Sequence, residues 1–190
     1  MAYIETVPTA EDLPIYETDR DTFGFIPNFT QAFSLRPQVY EAWRALNGSI
    51  KATMDLRRYE LATLAAARRL RSSYCVLAHG KVLADKFFSA DEVRAIAAGE
   101  ADLDEVDVAV MNLADKVAAD ATSVTQADVD RLCELGLDDG EILEVVLAAA
   151  ARCFFSSVLD GTGAEPDASY ASLDPSLREV LTVGRPIAAA

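Results

Sequence analysis

The residues best suited to chemistry lie in one stretch, "SSYCVLAHG" (Ser72–Gly80), which holds the only histidine of the chain. His79 follows Cys75 by four positions, and Ser72 precedes Cys75 by three. On an α-helix, positions i and i+4 share a face one turn apart. Thiol and imidazole can therefore meet, directly or through a water. With Ser72 as the N-cap, Cys75 takes the third helical position, where unsatisfied amides and the helix dipole favour a thiolate. His79 then takes the proton, or steadies the thiolate as imidazolium. A second reading needs no chemistry. Free cysteine is among the most buried residue types, and "CVLA" is an apolar run, so Cys75 can be plain core beside a hydrogen-bonded histidine. The local spacing leaves both readings open.

Charge adds to the first reading. Between Lys51 and Lys81 stand Lys51, Arg57, Arg58, Arg68, Arg69, Arg71 and Lys81, opposed only by Asp55 and Glu60. This basic segment sits in a chain of net charge −14. Most of these side chains read as a solvated helix face or as partners of the acidic remainder. The sharper expectation is that part of the charge surrounds Cys75, where it favours thiolate and attracts anions.

Other chemistries find less support. One histidine with one nearby cysteine is too few ligands for zinc. No G-x-S-x-G elbow is present. "GTGAEP" lacks the last glycine of a dinucleotide loop and reads as a helix C-cap. Cys133 and Cys153 have no histidine in sequence reach and read as core residues. Three cysteines do not make a disulfide framework, so the thiols are expected reduced at rest. The acidic balance argues against nucleic-acid binding, which needs a basic face. The N-terminus lacks an apolar h-region, and the run "VVLAAAA" (Val145–Ala151) is too short to span a bilayer. The expectation is a cytoplasmic chain without a membrane partner.

The elements that must position these residues are helical. Of the 190 residues, 51% are hydrophobic, enough for a sizeable core in one domain. Residues 1–22 read as an extended arm. "GFIPN" leads into a short helix, and Pro37 starts another whose Val39, Tyr40, Trp43, Leu46 and Ile50 form a stripe expected to be buried. Asp55 caps a helix reaching about Arg71. The helix with Cys75 and His79 follows. Ser89 and Glu92 form a capping box, and Gly99 closes that short helix. Val106, Val110, Leu113 and Val117 mark one face of the next. Thr125 opens a further helix that closes near Gly136. "DGEILEVVLAAAARCFFSSVLDG" reads as a long buried helix ending at Gly161 or Gly163. "DPSLREVL" adds a short helix, and "RPIAAA" reads as loose. No alternating strand pattern or internal repeat is found, so the class is all-α with seven to nine helices.

A wider window carries a resemblance. "RRYELATLAAARRLRSSYCVLAHG" resembles the signature of the alkylhydroperoxidase D-like, carboxymuconolactone decarboxylase-like family. In its peroxidase branch a glutamate precedes a Cys-x-x-Cys by twelve residues, and a histidine follows the second cysteine by four. Here Glu60, Ser72, Cys75 and His79 keep that spacing, with serine in place of the first cysteine. Tyr74, just before the second cysteine position, is also typical. "GFIPN" and the long C-terminal helix resemble the family's entry and final core helix. The likeness covers about residues 20–168 and fits best the peroxidase-related subgroup.

The resemblance implies a helical bundle over residues 23–168, an arm over 1–22 and a C-terminal tail over 169–190, assembled as a homo-oligomer, a trimer or a hexamer. It implies a proton relay in which Glu60 orients His79 and His79 serves Cys75, with no cofactor or metal. Ser72 cannot close a disulfide, but it can cap the helix and hydrogen-bond to the Cys75 sulfur. The expected activity is thiol-dependent reduction of a small hydroperoxide, with an external thiol or protein as reductant. Cys133 or Cys153 would resolve Cys75 only if the fold or a neighbouring subunit brings one close. The alternatives are acid–base chemistry on a small anion by His79 and Glu60, or a non-catalytic helical oligomer whose redox pair has decayed.

Overall fold

The computed structural model describes residues 2–189. Those residues form ten α-helices, two short 3-10 turns and no strand. In chain order the helices are α1 (Pro14–Phe23), α2 (Asn28–Ala32), α3 (Pro37–Thr53), α4 (Leu56–Arg69), α5 (Ser73–Lys86), α6 (Ala90–Ala98), α7 (Glu105–Asp120), α8 (Gln126–Glu134), α9 (Asp139–Thr162) and α10 (Pro175–Leu181).

The centre is α4, buried without a break from Tyr59 to Ala67. A stretch buried on every face must be enclosed by other elements and have its polar Glu60 and Thr63 side chains paired, as they are with His79 and the Tyr59 carbonyl. Here α5, α7 and α9 surround it. Its alanines leave room for that close approach. Leu61, Leu64 and Ala67 enter one core with α5, α1, α2 and the C-terminal half of α9. Tyr59, Ala62 and Ala66 enter a second core with α7, α8 and the N-terminal half of α9. The start of α4 is fixed by Asp55, whose Oδ1 accepts from the Arg58 amide at 2.9 Å. At α6 the Ser89/Glu92 capping box forms, and Gly99 closes the helix at φ 79°.

The α4–α5 corner sets the site. Arg71 adopts φ 57°, the left-handed conformation usual for a C′ residue. The Arg71 amide donates to the Arg68 carbonyl and the Ser72 amide to the Ala67 carbonyl. This paired arrangement ends α4 and starts α5 within three residues, so Glu60 and His79 lie on helices joined by a rigid turn.

Four expectations are corrected. The arm contains α1, opened by Pro14 and closed by Gly24 at φ 81°. Its inward face includes buried Asp19, which accepts from Thr30 at 2.5 Å and Tyr40 at 2.7 Å and pairs with Arg44. Polar anchoring at Asp19 joins the buried Ile15 and Tyr16 in fixing this helix. The α3 stripe is only partly buried: Tyr40 and Ile50 are enclosed, but Val39 and Leu46 are exposed. Cys133 is exposed and Cys153 half-buried, so neither is a core residue. The tail is tied down rather than loose. The Gly184 amide donates to Ser73 Oγ at 2.7 Å, and the Ala188 amide donates to the Pro166 carbonyl.

The long helix α9 ends at Gly163, φ 76°. It is apolar and long enough to cross a membrane. Half of that apolar window is buried against the rest of the chain, as for a core helix.

Candidate functional site

Helices α3, α4, α5 and α9 converge on a cleft of about 670 Å3. Glu60 reaches it from α4 and His79 from α5, and both are buried. Glu60 Oε2 stands 2.5 Å from His79 Nδ1. The other carboxylate oxygen accepts from Lys51 Nζ of α3 at 3.5 Å. Burial opposes the Glu60 charge, but His79, Lys51 and Arg152 together hold its pKa below the ordinary value. Burial, with help from the nearby Arg152 charge, pushes His79 down to about 4, against the pull of Glu60. Near neutral pH the pair is therefore carboxylate and neutral imidazole. Nδ1–H donates to Glu60, and Nε2 keeps its lone pair as a base.

Cys75 is 2% exposed and lies beneath the cleft wall rather than in it. Its sulfur accepts from Arg152 of α9 at 3.5 Å. The other Arg152 terminal nitrogen donates to Tyr59 Oη at 3.3 Å, and Tyr59 donates to Asn47 at 2.6 Å. The guanidinium carbon lies 5.6 Å from the Phe155 ring centre and 6.0 Å from that of Trp43, in cation–π range. Burial works against the Arg152 charge, yet Cys75 and Tyr59 hold its pKa above the ordinary value. Burial in turn raises the Tyr59 pKa, so that hydroxyl stays protonated. Among the described residues Arg152 has no carboxylate in ion-pair contact, and its Nε has no hydrogen-bond partner.

The expected site residues fall into two groups. Glu60 and His79 are brought together, and Cys75 lies one turn before His79 on α5. The hydrogen bond to the sulfur, however, comes from Arg152. Ser72 occupies the N-cap position of α5, fully buried, but its side chain makes no capping bond. Its hydroxyl makes no well-formed hydrogen bond, to the sulfur or elsewhere, although it lies near enough to Asp160 to lower that carboxyl's pKa slightly against the dominant effect of burial. The Tyr74 hydroxyl is engaged elsewhere. It donates to Asp167 Oδ2 at 2.5 Å and accepts from the Phe29 amide.

The expected basic surround of Cys75 is also corrected. Arg57 pairs with Asp107, Arg58 with Glu141 and Arg69 with Asp115, while Arg68 and Arg71 donate to the Ile96 and Val183 carbonyls. Of that segment Lys51 reaches the Glu60–His79 pair, and Lys81 lines the cleft while pairing with Asp85. The cation at the thiol is Arg152, which sequence reasoning missed. Its signal was the arginine inside the apolar run "VVLAAAARCFF", since a charge there must find partners in the core. Neither Cys133 nor Cys153 lines the cleft. Among the described residues, no group of three or more histidine, cysteine or carboxylate side chains is placed to hold a metal ion.

Residues 37–116, which span α3 to α7 and hold Glu60, Cys75 and His79, match the model of the carboxymuconolactone decarboxylase family. Through that segment and through its fold the chain is similar to the alkylhydroperoxidase D-like, carboxymuconolactone decarboxylase-like family. Its fold agrees with an alkylhydroperoxidase AhpD core, an uncharacterized peroxidase-related protein from Ralstonia eutropha JMP134. The TM-score is 0.80 at 21% identity, over 89% of this chain and 94% of the other. An uncharacterized peroxidase-related protein from Silicibacter sp. TM1040 superposes with TM-score 0.80 at 18% identity, over 90% and 94% of the two chains. The debrominase Bmp8 in complex with 2,3,4-tribromopyrrole gives 0.75 at 13% identity, over 94% and 97%. No curated protein sequence matches the chain. At these identities the likeness to solved structures is one of fold.

Proposed function

We propose that this protein is a thiol-dependent hydroperoxidase-like oxidoreductase with one reacting cysteine. The observation that carries the reading is the buried Glu60–His79 pair, which fixes a neutral base one helical turn from a thiol already held by a guanidinium. Glu60 orients His79 through Nδ1, and Nε2 takes the Cys75 proton, directly or through a water. The sulfur attacks the terminal oxygen of a hydroperoxide. The S–O bond forms as the O–O bond breaks, and the leaving alkoxide takes the proton back from His79. The products are Cys75 sulfenic acid and an alcohol. Two external thiols then return the enzyme. The first displaces water to give a mixed disulfide, and the second releases Cys75 and carries off the disulfide. Ser72 leaves no neighbouring thiol in the motif to do this internally. Burial of Cys75 favours small hydroperoxides.

The test is peroxide consumption with a small thiol as reductant, with sulfenic acid trapped and mapped. Cys75→Ser is expected to abolish both signals, and His79→Gln to slow consumption. Equal consumption by wild type and Cys75→Ser would refute the reading.

A second reading is acid–base catalysis on a small anion by His79 and Glu60. It is favoured by one observation: His79, Glu60 and Lys51 line the cleft, whereas Cys75 does not. Activity that survives Cys75→Ser but is lost in His79→Ala would select it. In either case we propose that the chain acts as a homo-oligomer. Leu143, Leu147 and Phe154 repeat along the outer face of α9, and all three are exposed.

A further inference from the structure

The cleft contains a glycine that the protein itself does not need. Gly48 lies inside α3, a 17-residue helix, where glycine is the least favoured residue after proline. It lines the cleft, and a Cβ added there would meet nothing within 4 Å. Its φ is not in the left-handed range, so no turn requires it. Neither packing nor backbone conformation accounts for the missing side chain. The remaining physical reason for it is access of something else to the helix surface.

What stands around it defines the chemistry. Arg44 and Lys51, seven residues apart, are two turns apart on one face of α3, and both line the cleft. Both are only half-buried, with side-chain exposures of 38% and 39%. Among the described residues each also has one contact to a carboxylate, 3.3 Å to Asp19 and 3.5 Å to Glu60. Those carboxylates are themselves engaged elsewhere, Asp19 with Thr30 and Tyr40, and Glu60 with His79. Arg44 also lies over the Tyr40 ring at 5.6 Å and Lys51 over the Tyr59 ring at 5.0 Å, and with one carboxylate contact each both retain hydrogen-bond donors. Beside them the wall is aromatic: Trp43 stacks on Phe155 at 3.9 Å, and Phe29 packs on Phe155 at 5.7 Å.

We propose that the cleft binds an apolar monocarboxylate, its head over Gly48 between Arg44 and Lys51 and its body against Trp43 and Phe29. A hydrophobic wall with a few placed charges is the usual make-up of a small-molecule site. The inference rests on the proposed function only for turnover, where it names the substrate class as small anionic hydroperoxides with an apolar body. Binding itself needs no reaction.

Trp43 is the single tryptophan of the chain and lies in the cleft wall, so its fluorescence reports occupancy. The full-length chain is titrated with octanoate and with octanol, without peroxide. Octanoate is expected to change Trp43 emission saturably and to bind about tenfold more tightly than octanol, the worth of one modest charge interaction. Lys51→Gln and Arg44→Gln should each weaken octanoate several-fold and leave octanol unchanged. Gly48→Ala should raise the melting temperature, as alanine replaces glycine in a helix, while weakening octanoate binding. Equal affinity for octanoate and octanol, or no saturable change with either, would overturn the proposal. So would Gly48→Ala binding octanoate as wild type does. A chain that consumes no peroxide can still pass this test, and a peroxidase indifferent to the carboxylate fails it alone.

Discussion

Because the chain has a single histidine, its stability should report directly on the protonation of His79. The imidazole is buried and pushed down to about 4 in the folded state, against 6.5 when free. A group whose folded pKa is depressed contributes stability that is present above its unfolded pKa and lost as pH falls toward the folded one. Here the unfolded chain takes up a proton at His79 that the folded chain refuses. Between about pH 7.5 and 5.5 the unfolded histidine goes from roughly one-tenth to nine-tenths protonated, which removes about 1.3 kcal/mol of stability. The measurement is urea unfolding across this range for wild type and His79→Gln, a side chain that can still donate to Glu60. The wild type should lose about 1.3 kcal/mol more than the variant. Parallel curves would mean that burial does not hold His79 neutral. A wild type that gains stability relative to the variant as pH falls would mean an imidazolium paired with Glu60, and the base at the centre of the proposed mechanism would be gone.

Three further outcomes follow from contacts around the site. In a background of Cys133→Ser and Cys153→Ser, Arg152→Met should slow alkylation of Cys75 about ten- to a hundredfold, from roughly 1.5–3 kcal/mol for a hydrogen bond to a charged group; an unchanged rate would remove Arg152 from the chemistry. Gly184→Ala should cost about 2–3 kcal/mol in chemical denaturation, since its Cβ would meet the Arg71 carbonyl oxygen at 2.1 Å and backbone cannot swing aside. Leu147→Glu should lower the solution mass measured by light scattering if the outer face of α9 joins copies of the chain, and an unchanged mass would place the oligomer contact elsewhere.

Much of the fold was legible because its signals are local. Asp55 and the Ser89/Glu92 pair mark helix starts through bonds made within three residues, and Gly99 and Gly163 mark ends through their own φ. The long apolar helix was legible for the same reason. The misses share a different cause. Helix α1 buries only Ile15 and Tyr16 beside Asp19, which reaches Thr30 and Tyr40, and so short an apolar stretch with a carboxylate in its buried face gives little periodic signal. Val39 and Leu46 have the same spacing as buried residues, and the sequence cannot say whether a stripe faces the chain's own core or another surface. The arginines of α4 were near Cys75 in sequence, but their lengths carry them to Asp107, Glu141 and Asp115 on other helices.

The site shows the same division. Glu60 and His79 lie on helices joined by one tight turn, so their meeting follows from the spacing of a single segment, the one that matches the family model. Arg152 comes from α9, outside that segment. The matched segment therefore supplies an oriented base, while the cation beside the sulfur comes from a helix the motif does not include. That separation matters for what the thiol can do. A buried anion is costly without a counter-charge, and Arg152 is a buried cation with no carboxylate partner among the described residues. Its planar fork reaches Cys75 with one nitrogen and Tyr59 with another, a geometry that lysine cannot copy. A chain with the same motif spacing but an apolar residue at position 152 would keep the Glu60–His79 base and lose the partner of a sulfur anion. It would be suited to moving protons in the cleft rather than to attacking a peroxide.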